Sequence, residues 1–170
     1  MPAPPRPVLV RLARPDDAEA TADIYNREVL GTTVTFDLVA RSLADQRAWL
    51  AARSGAHPAI VAESGDGTVV GFGCLSSYRD RPAYATTVED SVYVDHRWRG
   101  RGVGRTLLES LVELATGHGF HAIMARVVGG HDASIALHRS CGFELVGIER
   151  EVGRKFGRWL DVALMQRLLS

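Results

Sequence analysis

Residues 88–108 read VEDSVYVDHRWRGRGVGRTLL. An apolar, β-branched run carried by Val88, Val92, Tyr93 and Val94 stops at the polar pair Asp95-His96. Arg99-Gly100-Arg101-Gly102-Val103-Gly104 follows, and an amphipathic helical pattern begins at once. A strand, a glycine-rich turn and a helix N-terminus in that order make a phosphate-binding device. The first backbone N–H groups of such a helix have no intrahelical acceptor, and the helix dipole favours an anion beside them. Glycine lets the backbone approach phosphates where a Cβ would block it. Arg99, Arg101 and Arg105 add positive charge around the turn.

Spacing separates the possible devices. A dinucleotide fingerprint needs G-x-G-x-x-G with an acidic residue about 20 positions later. Here the glycines fall at 100, 102 and 104, position 105 is Arg, and no G-x-x-x-x-G-K-[ST] string exists. What fits is R-x-x-G-x-G (Arg99, Gly102, Gly104) after a mid-chain strand. This resembles the pyrophosphate loop of the GNAT family of N-acetyltransferases, and the resemblance implies coenzyme A, as acetyl-CoA, for the second substrate.

The rest of the chain sets bounds. At 170 residues it reads as one domain, long enough to bury roughly 70% of its unfolded surface. Twenty basic residues balance twenty acidic ones, which speaks against a nucleic-acid or membrane-surface protein. No apolar run approaches the roughly 20 residues that span a bilayer. The N-terminal MPAPPRP lacks an apolar core, so residues 1–7 read as a disordered tail ahead of a domain over 8–170. Cys74 and Cys141 stand apart without metal-ligand spacing; they read as small buried apolar residues, no metal is expected, and a reducing cytoplasm is the simplest location.

Patterning yields an α/β chain in the order β-α-α-β-β-β-α-β-α-β-β. A first strand over 8–11 precedes a helix capped by Asp16, with Glu19 at capping-box spacing and Ile24, Tyr25 and Val29 on its buried side. Residues 31–36 read as a loop. Ser42 with Asp45 starts a second helix. Strands near 59–63 and 69–77 flank the turn Gly65-Asp66-Gly67. A strand over 86–94 leads through the glycine loop into a helix from about 102 to 118, with Val103, Leu107, Leu111 and Leu114 inward. A strand over 122–128, a helix over 133–141 and strands near 144–152 and 160–167 complete the chain. A mixed, mostly antiparallel sheet of six to seven strands with helices on both faces is expected, and this is the GNAT order.

A second GNAT marker is N-x-x-[AS]-x-x-L-[HY] followed by G-[FY]. Ser134, Leu137, His138, Gly142 and Phe143 match it, whereas His131 stands where Asn usually contacts the pantetheine arm. Imidazole lacks the paired donor and acceptor of an amide. Five segments narrow the resemblance: DIYN (23–26), TVTF (33–36), YATTVEDSVYV (84–94), LH (137–138) and VGRKFGRWLDV (152–162). They are similar to those of the phosphinothricin and methionine sulfoximine N-acetyltransferases, which acetylate the α-amino group of small amino-acid-like compounds. That branch implies a small-molecule partner and a homodimer.

The implied reaction needs a neutral amine, a polarised thioester carbonyl and a protonated leaving thiolate. Glu89 is the candidate base; period two puts it on one strand face with Ser91 and Tyr93. His138 is placed by the resemblance as the acid, or as a partner of Glu89. Backbone N–H groups around Val92, Tyr93 and Val94 are the expected oxyanion donors and cofactor contacts. Arg99, Gly100, Arg101, Gly102, Val103, Gly104, Arg105, His131 and Ser134 complete the cofactor set. By resemblance, Arg79 and Lys155 are the cations for a substrate carboxylate, and Phe36, Tyr84 and Trp159 wall its pocket. A protein N-terminal or lysine acetyltransferase, and an acyl-CoA-binding sensor without turnover, remain as alternatives.

Overall fold

A computed structural model describes residues 7–170, so all but the last residue of the expected tail lies outside the described residues. The elements are β1 (Leu9–Leu12), α1 (Ala18–Gly31), α2 (Leu43–Ala51), β2 (Ala59–Glu63), β3 (Val69–Ser77), β4 (Thr87–Val94), α3 (Val103–Gly117), β5 (Ala122–Val128), α4 (Asp132–Ser140), β6 (Glu144–Lys155) and β7 (Arg158–Leu168). The strands form one seven-stranded sheet in the order β1-β2-β3-β4-β5-β7-β6. β4 and β5 are its parallel pair, and every other neighbouring pair is antiparallel. The expected mixed sheet with helices on both faces is what forms.

α3 packs on one face. Leu107, Leu108, Leu111 and Ala115 are fully buried against Ile60, Val70, Val88, Ile123 and Met165. The helix comes close because β3 carries glycines beneath it. A Cβ at Gly71 would stand 3.0 Å from Leu107 Cδ1, and one at Gly73 would stand 3.1 Å from Leu111 Cδ1. On the opposite face Ile24, Tyr25 and Val29 of α1 pack on Val61 and Phe72, as the helical spacing implied. The Tyr93 ring stacks on Phe72 at 5.2 Å on this second face. Side chains therefore alternate along β4: Val88, Asp90, Val92 and Val94 face α3, and Glu89, Ser91 and Tyr93 face α1. Cys74 and Cys141 are free, buried thiols, and burial raises the pKa of both.

Two local expectations are corrected. Asp16 does not cap α1; Pro15–Asp17 forms a 3-10 turn and Asp17 occupies the cap position without a side-chain cap bond. Its carboxylate is engaged elsewhere, accepting from both terminal nitrogens of Arg11 (2.8 and 2.9 Å) and from the Arg14 N–H (2.7 Å). A bidentate guanidinium pair outcompetes a cap. The final hairpin is also longer than its apolar pattern, turning tightly at Phe156 (φ 51°) and Gly157 (φ 71°), a pair of positive φ values that suits a two-residue hairpin. The Ser42–Asp45 capping box forms as read.

Candidate active site

β4 and β5 pair only from Thr87–Ala122 to Glu89–Met124. Beyond that point β3 keeps hold of β4 and β7 keeps hold of β5, so the two strands separate. The edge of β4 from Asp90 to Val94 has no strand partner on the β5 side. The resulting wedge opens into a cavity of about 670 Å³, bounded by Glu89–Val94, Ala125–Val128, the loop before α3, α4 and residues 34–36.

Its mouth is the glycine loop. Gly100 (φ 71°) and Gly102 (φ 83°) are left-handed, and a side chain at Gly102 would cost about 1–2 kcal/mol in that conformation. The Thr106 N–H bonds to Gly102 O at 3.0 Å, so the N–H groups of the preceding turn are free for an anion. The loop's cations are engaged elsewhere. Arg99 pairs with the buried Glu28 of α1, Arg105 donates to Glu109 at 2.8 Å, and the Arg101 guanidinium lies 5.2 Å from the Trp98 ring, outside the cavity lining. Backbone rather than side chains therefore faces the place a diphosphate would take. The donors, the left-handed glycines and the unpaired β4 edge fit an extended phosphate-bearing thioester such as acetyl-CoA.

Val92, Tyr93, Val94, Arg99, Gly100, Gly102, Val103, Gly104, Arg105, His131 and Ser134 line this cavity, together with Phe36, Glu89 and His138. His131 hydrogen-bonds Thr33 through Nε2 at 3.1 Å, tying α4 to the 31–36 loop. Four residues expected near the substrate lie off the lining. Arg79 and Tyr84 form a surface cluster, with the guanidinium 5.7 Å from the Tyr84 ring. Lys155 is buried behind the loop, donating to Thr35 O at 2.9 Å, and burial lowers its pKa. Trp159 is exposed on the final hairpin beneath Arg154.

Burial raises the pKa of Glu89; Arg126 opposes this through its charge and hydrogen bond, while Asp90 adds to it. Arg126 of β5 donates from Nε to Glu89 Oε1 at 3.3 Å. His138 lies on the other face of the sheet and does not meet Glu89. Its Nδ1–H donates to the Ser134 carbonyl at 2.8 Å, and its Nε2 faces Asp90 Oδ2 at 3.0 Å. With Nδ1 fixed as a donor, a proton must sit between Nε2 and the carboxylate. The pair therefore holds one labile proton, with the two side chains only 6% and 1% exposed. Burial opposes a charged His138, yet the Asp90 bond and charge outweigh it and leave the pKa raised. Asp90 and Arg126 escaped the sequence reading, although each is a charge at an otherwise apolar strand position.

This geometry matches a known family. The profile of the acetyltransferase (GNAT) family covers residues 21–143. The chain belongs to it. A methionine sulfoximine/methionine sulfone acetyltransferase of Pseudomonas paraeruginosa is 40% identical over 158 residues, 92% of each chain. A phosphinothricin acetyltransferase of Sinorhizobium meliloti, solved with acetyl-CoA, superposes with a TM-score of 0.92 at 39% identity, over 96% of this chain and 89% of that one. A structure named as a ribosomal-protein-alanine N-acetyltransferase, from Brucella melitensis, gives 0.92 at 41% identity over 95% and 99%. No helix of this acetyltransferase is long and apolar enough to cross a membrane among the described residues.

Proposed function

We propose that this acetyltransferase moves acetyl from acetyl-CoA to the α-amino group of a small amino acid bearing a tetrahedral sulfur or phosphorus tail. The observation that carries this reading is the cavity itself, with a half-buried carboxylate, Glu89, at the point where β4 and β5 part. An α-ammonium group, with a pKa of roughly 8, must lose a proton before it can attack. Glu89 takes that proton. The amine nitrogen then bonds to the acetyl carbon, and the N–H groups of Val92 and Val94, which face the open β5 side because Asp95 and Tyr93 pair with β3, receive the developing oxyanion. The C–S bond breaks and the Asp90–His138 pair protonates the thiolate; the second nitrogen proton passes through water to restore that pair, and Glu89 releases the first proton to solvent. The glycine loop and α3 N-terminus hold the diphosphate, with His131 and Ser134 beside the pantetheine arm.

Phe36 walls the acceptor side. Tyr25 holds its loop through Thr35 (3.1 Å) and Asp37, and Lys155 holds it through the Thr35 carbonyl. The β6 strand bulges before Gly153, where a Cβ would lie 2.4 Å from the Phe36 ring. Gly153→Ala is therefore expected to push that ring into the cavity. The KM for the amino acid should change several-fold and that for acetyl-CoA should not, and Phe36→Leu in the same chain should reverse the change. Steady-state kinetics with each substrate varied checks this.

Arg79, Tyr84 and Trp159 reach an acceptor only where a second copy or a rearranged loop brings them in. We place the enzyme as a homodimer, supported by the exposed apolar residues Leu145, Val146, Ile148 and Val152 on the edge strand β6. Light scattering at micromolar concentration is expected to give twice the chain mass, and a monomer mass removes the dimer. Two free thiols support a reducing, cytoplasmic location, and the one continuous seven-stranded sheet supports a single folded domain over 8–170.

The test is thiol release from acetyl-CoA against methionine sulfoximine, methionine sulfone, phosphinothricin, the common amino acids and N-terminal peptides. Turnover confined to the amino acids supports this reading. The Brucella relative's name favours peptides as the second reading, and turnover confined to peptides would establish it instead.

A further inference from the structure

Three arginines line the cavity among the described residues: Arg99, Arg105 and Arg126. Arg99 is held by Glu28 and Arg105 by Glu109, both at the phosphate end. Arg126 stands at the other end, beside the candidate base. It follows Met124, the residue paired with Glu89, by two positions on β5. Ile123, Ala125 and Val127 pack into the α3-side core, so Arg126 projects from the same sheet face as Glu89.

The bridge between them is loose. It uses the single Nε at 3.3 Å, whereas a well-formed charge-assisted bond is about 2.7–2.9 Å. Arg126 is 53% exposed and Glu89 20%. The two terminal nitrogens of the guanidinium have no protein partner among the described hydrogen bonds, so a planar fork faces the cavity beside the base.

On the reading above, an acceptor amino acid enters as a zwitterion, its ammonium and carboxylate joined through one carbon. A substrate whose nitrogen lies against Glu89 must place its carboxylate within reach of the nearest cation. We infer that Arg126 is the receptor for the acceptor's α-carboxylate, exchanging its bridge to Glu89 for a two-pronged contact with the substrate. The exchange orients the nitrogen towards the acetyl carbon and demands a free carboxylate, so the acceptor class is α-amino acids and not their amides, esters or peptides. It also takes away the cation that opposes proton uptake by Glu89 at the moment uptake is required. The other charged groups acting on Glu89 are Asp90 on its own strand and Arg79 after β3, and neither takes part in the exchange.

The experiment compares methionine sulfoximine with its carboxamide on wild-type enzyme, Arg126→Gln and Arg126→Lys, with acetyl-CoA saturating. Arg126→Gln is expected to raise the KM for the free acid about tenfold to a hundredfold more than that for the amide, the loss of one hydrogen-bonded charge pair. Arg126→Lys should recover part of the preference, since it keeps the charge without the fork. The acid limb of kcat/KM, which reports free enzyme, should move to higher pH in Arg126→Gln while that of kcat stays in place. An acid-to-amide preference that is unchanged in both variants overturns this inference and leaves the proposed function standing. A wild-type enzyme that acetylates neither compound overturns both.

Discussion

Glu89→Gln is expected to lower kcat on the order of 10²–10⁴-fold, with little change in acetyl-CoA binding. The amide is isosteric and still accepts the Arg126 hydrogen bond, so the fold and the wedge between β4 and β5 persist. It cannot take a proton. In the wild-type enzyme burial raises the Glu89 pKa, so activity should climb as pH rises through that value and the carboxylate forms. The variant should lose this limb altogether. A pH series of kcat and kcat/KM on both proteins reads the outcome, and an unchanged rate and profile would remove Glu89 as the base.

Asp90→Ala is expected to have the largest effect on stability, about 3–5 kcal/mol, because it strips one partner from a buried ion pair. The cost is a lone His138 whose Nε2 loses its partner inside the protein. Asp90→Asn keeps a neutral hydrogen bond and should fall between the two. The pH dependence has a definite sign. The folded pKa of His138 lies above its ordinary 6.5, so the pair's contribution is fully present below that ordinary value. It fades as pH rises through the folded value. Wild-type Tm should therefore decline over that interval, and Asp90→Asn should flatten the decline. Thermal melts across the range check both, and parallel slopes in the two proteins would show that the pair carries no shared proton.

Much of the fold was legible because it rests on local rules. The strand–glycine–helix stretch, the inward spacing of Val103, Leu107 and Leu111, the Ser42 box and the period of β4 all depend on neighbours in the chain. Leu114, counted inward by the same period, is only partly buried, and Leu108 and Ala115 sit deeper. The Asp17–Arg11 fork and the positive φ of Phe156 were hidden because they depend on tertiary partners and a tight turn without the usual residues. The site divides the same way. Glu89 and the loop followed from position, but the partners of His138 and Glu89 depend on cross-strand register. That register puts Asp90, not Glu89, beside His138 and sets Arg126 beside Glu89. Lys155 and Trp159 sit near the final turn as read, yet Lys155 is taken up by the Thr35 carbonyl behind the loop and Trp159 stays exposed, contacts that depend on tertiary partners.

Methionine sulfoximine carries two nitrogens that can receive acetyl, the α-amine and the sulfoximine N–H. Fragment-ion mass spectrometry of the product, with released thiol counted in parallel, tests most directly whether the cavity delivers the α-amine to the thioester beside Glu89. One acetyl on the α-nitrogen for each thiol released is the expected result. Acetyl on the sulfoximine nitrogen, or thiol release without an acetylated amino acid, would contradict it.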